Sequence, residues 1–207
     1  KLAWRMATMH AGGEKVADRV RPVLLDLLAL AALGTVADVV PLVDENRVIT
    51  RFGLRRCRTT GVVGLTALIE AAGLTGEDVD AEGVGFRLGP MLNASGRLGH
   101  ASVAVELLTT DDRRRADGIA RDLVALNEER KQTQQKIFEQ AEAMAEAAGM
   151  TGDDRRAIVL ASEDWHPGVV GIVCSRLVER YARPVILMQR RVEADGSVVC
   201  AGSGRSI

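Results

Sequence analysis

The hydrophobic and polar positions change character once along this chain. Residues 22–33 place Leu, Val and Ala around a single acid, Asp26, which predicts a helix, and Gly34 predicts its stop. Residues 45–57 predict another, with Val48, Ile49 and Phe52 at helical spacing and Arg47, Arg51 and Arg55 on a second face. A third spans 65–72 and ends at Gly73. The stretch 83–100 (GVGFRLGPMLNASGRLGH) is rich in glycine and holds Pro90, which predicts a short helix followed by a loop. Residues 111–148 contain no proline and only Gly118, and Ile119, Leu123, Leu126, Ile137 and Met144 recur among Arg, Glu, Gln and Lys. One long helix is expected there, about 50 Å in length, of the kind that bridges two bodies.

Glycines and acids at 149–154 break that helix, and the pattern then alternates. Strands are expected at 157–162, 184–189 and 197–203, with a helix at 169–181. The class read from this order is α/β: a mainly helical first part, a long connecting helix, then the start of an α/β domain, divided as 1–110, 111–149 and 150–207. Three strands are too few to close a sheet before Ile207. The second domain therefore reads as truncated, and the first as lacking its beginning.

Composition narrows the class. With 47% hydrophobic residues, 27% charged residues and only 5 prolines in 207, the disordered, collagen-like and low-complexity classes drop out. The longest apolar stretch, 23–33, is far shorter than the roughly 20 residues a membrane span needs. No basic region followed by an apolar run and a cleavage site opens the sequence. Cys57, Cys174 and Cys200 are odd in number, widely spaced and without a CxxC pair, which argues against a disulfide framework and a zinc site and fits a reducing cytoplasm. A net charge of −1 excludes a uniformly basic nucleic-acid coat protein but leaves room for a local basic groove. Arginine supplies 23 of the 27 basic residues, either through codon usage or because guanidinium groups grip phosphate with paired hydrogen bonds.

Four segments carry candidate chemistry. In LGTVADVVPL, Asp38 stands among Val36, Ala37, Val39 and Val40, where an ionised carboxylate is costly unless paired. It either caps a turn or helix ahead of Pro41 or binds a hard divalent cation. In RLGPMLNASGRLGH, Arg87, Asn93, Ser95 and Arg97 lie among glycines that allow close backbone approach, which suits an anion or a plain turn. In DWHPGVVGIVCSR, Trp165, His166 and Pro167 end a loop and Gly168 to Gly171 open a helix, either as a phosphate site at an electropositive helix end or as a packed turn in which His166 caps locally. In the final GSGRSI, Ser203 and Arg205 are potential phosphate ligands, and a flexible turn is the other reading. Walker loops, dinucleotide fingerprints and serine-hydrolase elbows are absent.

Taken in order, LALAALGTVADVVPLVDENR, RLGPMLNASGRLGHASVAVELL, NEERKQTQQKI, WHPGVVGIVCSRLVERYARPVI and GSGRSI make the chain similar to the DHH/DHHA1 phosphoesterase family, and within it to the single-stranded-DNA-specific exonucleases. The resemblance covers nearly the whole chain. It implies 5′-to-3′ hydrolysis of single-stranded DNA with Mn²⁺ or Mg²⁺ in recombination and repair, by a DHH lobe and a DHHA1 lobe joined through a long helix. It further implies that Asp38 is the family's last metal-binding aspartate and that Asn93 and Arg97 face the metal centre and the phosphate being cut. Ser203, Gly204 and Arg205 would hold DNA at its 5′ phosphate, and His166 with Gly168 would form a DHHA1 motif that binds DNA or serves structure. The Asp-His-His triplet and a later Gly-Gly-His segment are absent, so the chain reads as an interior fragment, inactive alone. Single-strand-binding protein and a helicase are expected partners, membranes are not, and a monomer is expected. A phosphodiesterase for short oligonucleotides or cyclic dinucleotides and a non-catalytic DNA or replication scaffold are the competing functions.

Overall fold

The computed structural model describes every residue except Glu14 and Glu77. The chain divides into two compact units, one of residues Lys1–Ser95 and His100–Ala125, the other of Gly96–Gly99 and Leu126–Ile207.

The first unit is helical: α1 (Leu2–His10), α2 (Arg21–Ala37), α3 (Asp44–Cys57), α4 (Val63–Ala71), the single turn α5 (Ala81–Gly83), α6 (Gly89–Leu98, ending in the second unit), α7 (Ser102–Thr109) and the first part of α8 (Arg113–Ala147). Pro22 fits the first turn of α2, where its missing N–H costs nothing. The expected stop at Gly34 does not occur. The helix runs on to Ala37 and turns at Val39, whose φ of 54° is left-handed, and Val40 N–H donates to the Thr35 carbonyl at 3.1 Å. That closing bond is the usual one for a glycine-ended helix, here made with a β-branched residue in the strained position.

The expected loop within 83–100 is also helical. A π-helical turn, Val84–Leu88, links α5 to α6, and Gly89 N–H donates five residues back to Val84. The widened turn accommodates Pro90, which has no N–H and would crowd a regular α ladder. Gly89 is required by packing, since a Cβ there would lie 3.0 Å from the Val84 carbonyl oxygen and 3.1 Å from the Ala37 side chain. Leu33, Leu65, Leu68, Val84, Leu88 and Leu107 form the core, closed by Ile119 and Leu123 of α8.

The expected long helix is a single α-helix of 35 residues. In the second unit its later turns pack with β1 (Ile158–Ser162), α9 (Pro167–Tyr181) and β2 (Val185–Val192), and β3 (Val198–Arg205) completes a sheet of order β1-β2-β3. β1 and β2 are parallel, with Ile158 opposite Val185, and α9 is their crossover. β2 and β3 are antiparallel, with Val185 opposite Arg205 and Val192 opposite Val198. The GSGR segment is therefore strand, and the flexible-turn reading is set aside. Trp165, 1% exposed, anchors this core with Val169, Val173, Leu177 and Leu187, and its Nε1 donates to Gln140 Oε1 at 3.0 Å.

Candidate functional site

The first turn of α9 organises the second unit's polar groups. His166 is its N-cap: Nδ1 accepts from Gly168 N–H at 3.1 Å, and the His166 carbonyl accepts from the amides of Val169 at 3.0 Å and Val170 at 3.2 Å. Pro167 has no amide hydrogen, so the helix end presents no free amide for an anion, and the local-cap geometry is the one observed. With Nδ1 accepting, the neutral ring carries its proton on Nε2 as a remaining donor.

Two arms reach this turn. Arg97, half-buried, donates from Nη1 to the Gly168 carbonyl at 3.2 Å. The backbones touch here as well, since a Cβ on Gly168 would lie 2.1 Å from the Arg97 carbonyl oxygen. One helical turn on, Gly171 faces the second arm: its Cβ position is 3.1 Å from Ser203 Oγ and 3.6 Å from Arg205 Nη2. Ser203 and Arg205 alternate along β3 and so share a face of the sheet. Arg205 Nη1 donates to Ser203 Oγ at 3.0 Å and to the Gly204 carbonyl at 2.7 Å. Gly202 lets the strand sit this close, because a Cβ there would be 2.0 Å from the Leu187 carbonyl oxygen. Beneath it, the Cys174 thiol donates to the Ser203 carbonyl at 3.2 Å, and burial pushes that thiol up against the opposing pull of the Arg205 charge.

The structure thus gathers Arg97, His166, Gly168, Ser203, Gly204 and Arg205, which are 108 positions apart at their extremes, around one turn of helix. Cys174, which touches the Ser203 carbonyl, was not singled out from the sequence.

Asp38 and Asn93 belong to the first unit. Asp38 follows the last turn of α2 and is exposed, which corrects the expectation of an apolar setting, and among the described residues its carboxylate has no side-chain hydrogen bond or ion pair. Asn93 is exposed on α6, one turn beyond Gly89, the residue packed against Ala37 beside Asp38. A divalent cation of the implied kind needs several oxygen or nitrogen ligands. Among the described residues no group of three His, Cys, Asp or Glu side chains converges for one. Asp38 can offer an oxygen, and these residues do not build a complete metal site. A groove of about 850 Å³ in the first unit, lined by Trp4, Leu24, Leu28, Ala31, Val48 and Ile49 among others, contains none of the expected site residues.

No protein-family model matches the chain. Individual proteins do. The single-stranded-DNA-specific exonuclease RecJ of Bacillus subtilis is 44% identical over 182 residues, which make up 88% of this chain and 22% of that protein. This chain is homologous to a segment of RecJ. Among solved structures, RecJ from Thermus thermophilus in complex with Mn²⁺ superposes with a TM-score of 0.74 at 37% identity, covering 88% of this chain and 26% of that one. The complex of RecJ from the same organism with Mg²⁺ gives 0.70 at 38% identity, covering 80% and 25%. The chain spans about a quarter of the length of these relatives. The RecJ structures bear out the α/β class and the resemblance read from the five sequence segments. Among the described residues, no helix is long and apolar enough to cross a membrane.

Proposed function

We propose that this chain is part of a metal-dependent exonuclease that degrades single-stranded DNA from its 5′ end, in recombination and repair, in the cytoplasm. The observation that carries the reading is the 44% identity to the Bacillus subtilis RecJ exonuclease. The convergence of Arg97, Ser203 and Arg205 on α9 supplies its chemistry. Residues 1–110 are read as the later part of a DHH domain, 111–149 as the connecting helix and 150–207 as the first part of a DHHA1 domain.

In this reading Arg205 and Ser203 present donors from one face of β3 to a 5′ phosphate, Gly204 keeps the strand clear of it, and His166 Nε2–H is a further donor. Arg97, fixed at Gly168, offsets charge on the phosphate being cut, which is electrostatic stabilisation of the transition state. Asn93 is the further α6 residue that this reading assigns to catalysis. Mn²⁺ or Mg²⁺, the ions of the Thermus thermophilus complexes, would supply Lewis acidity, with Asp38 contributing one ligand. Single-strand-binding protein and a helicase are the partners this role calls for, acting on a monomer.

A segment exchange tests the proposal. Replacing the matching part of Bacillus subtilis RecJ with this chain should preserve Mn²⁺-dependent release of nucleotides from single-stranded DNA, and Asp38→Ala in the exchanged protein should abolish it while leaving thermal melting intact. Arg205→Ala should shrink any preference for 5′-phosphorylated over 5′-hydroxyl strands by tenfold or more, since a charge-assisted hydrogen bond is worth about 1.5–3 kcal/mol. The 207 residues alone should bind single strands without cutting them. Undiminished turnover by Asp38→Ala would remove the metal role, and equal weakening of both strands would make Arg205 a general backbone contact.

A further inference from the structure

Five arginines lie between positions 47 and 58, and two of them are paired. Arg56 Nε donates to Asp26 Oδ1 at 3.0 Å, and Arg58 Nη1 donates to Asp78 Oδ1 at 2.9 Å. Arg47, Arg51 and Arg55 are all exposed, and among the described residues none has a carboxylate within ion-pairing distance. These are the three that share one face of α3. With 3.6 residues per turn they fall within an arc of about 80°, spaced about 6 Å apart along the helix axis. Of the two acids in the first turn, Glu45 pairs with Lys1, and Asp44 alone lies near the start of the row.

Like charges four residues apart on a helix repel each other, and the packing of the first unit does not call for them. The opposite face of α3 holds the helix firmly. Thr50, Gly53 and Cys57 are buried, and a Cβ on Gly53 would lie 2.4 Å from both the Leu28 carbonyl oxygen and the Ala32 side chain of α2. The row of cations thus stands on a fixed scaffold. Beside it, next to Arg51 and Arg55 around the helix, Phe52 is 52% exposed, although burying such a ring is ordinarily favourable. Guanidinium groups in a row with an open aromatic ring at their flank suit a single strand, whose backbone follows the cations while a base stacks on the ring. A run of carboxylates would meet the cations and leave the ring unused.

We propose that this face of α3, formed by Arg47, Arg51, Arg55 and Phe52, is a second contact surface for single-stranded nucleic acid, separate from the residues gathered on α9. It lies in the first unit and contains none of the residues assigned above to phosphate or metal. The choice of a single strand rests on the reading under which the chain belongs to a single-strand exonuclease, but the surface shares no residue with that reading. It grips the strand through three backbone phosphates and one stacked base.

The 207-residue chain is titrated with a fluorescein-labelled oligothymidylate at several salt concentrations, followed by anisotropy, with thermal melting of each variant alongside. Replacing Arg47, Arg51 and Arg55 together by Gln should weaken binding about tenfold or more and lower the slope of log affinity against log salt by about 2, the share of three single-strand phosphates. The melting temperature should not fall, since the substitutions remove only repulsion between exposed charges. Arg51→Gln alone should lower the slope by about 0.7, which keeps the test readable if the triple variant does not fold. Phe52→Leu should weaken binding about fivefold or more with the slope unchanged, because it removes stacking and no charge. Full binding by Phe52→Leu, or equal competition by an oligoglutamate of the same length, would make the face a plain polyanion surface and overturn the nucleic-acid assignment. Unchanged affinity and slope in the arginine variants, or no binding by the wild type at low salt, would dispose of the surface itself. Arg205→Ala separates it from the α9 site: binding lost there while the α3 variants bind normally sustains α9 and overturns the α3 surface, and the converse leaves α3 standing and counts against α9.

Discussion

Asp26 on α2 draws in three donors from the end of α3 and the turn after it: Arg56 Nε at 3.0 Å, Thr60 Oγ1 at 3.0 Å and the Gly61 amide at 2.9 Å. Burial works against its charge, but the amide, hydroxyl and guanidinium together outweigh it and hold the carboxyl below the usual carboxylate range. A depressed folded-state pKa means that the stabilisation is fully present above the unfolded value of about 3.9 and is lost as pH falls through the lower folded value. Asp26→Asn should therefore cost about 1–3 kcal/mol at pH 7 in urea unfolding, with the gap to wild type closing below about pH 4. A gap that does not change with pH would show that shape, not charge, is what Asp26 provides. The sequence displayed this acid as an oddity in an apolar run but offered no route to a partner 30 positions away. It misled at Asp38 for a related reason: apolar sequence neighbours imply burial only while the helix continues, and the left-handed Val39 turns Asp38 out at its end.

At the scale of elements, periodicity located α3, α4, α8, α9, β1 and β2, because each buries one face, and β3 was found although none of its residues is buried. It failed where glycine was counted as an intrinsic cost. Gly34 has nothing within 4 Å of its Cβ position and simply lies within α2, whereas Gly64 opens α4 against α7, where a Cβ would be 1.6 Å from the Leu107 carbonyl oxygen. The same substitution should then have opposite signs. Gly34→Ala should stabilise by about 0.5–1 kcal/mol through reduced backbone entropy. Gly64→Ala should destabilise by about 1–3 kcal/mol or more as the two helices are forced apart. Melting temperatures that move in the same direction would refute this account of the two glycines. α1 had no signal because Leu2, Trp4, Met6 and Met9 are all exposed and mark no buried face. The candidate site was legible as separate short motifs, but their meeting on α9 depends on β3 pairing beside β2, which no local pattern encodes.

Two hydrophobic cores, one around Leu68 and one around Leu177, argue against a single two-state transition for the whole molecule. Trp165 is buried in the second core and, with Trp4 replaced by Phe, reports on it directly by fluorescence. Leu177→Ala should lower the Trp165 transition by about 2–5 kcal/mol, while Leu68→Ala lowers the helical circular-dichroism transition and leaves Trp165 nearly unmoved. One coincident transition shifted equally by both variants would show that the cores unfold together. The second unit is also discontinuous in sequence: Gly96–Gly99 belong to it although the chain returns to the first unit for residues 100–125. Leu98 packs on the second core, and the Arg97 backbone lies against Gly168. A single cut at residue 126 would consequently release an α/β piece with an uncovered apolar patch and an unbraced helix start. The shortest excisable form of this unit begins not at Leu126 but thirty residues earlier, at Gly96, and any subdivision of the gene that ignores this would separate a domain from its own wedge.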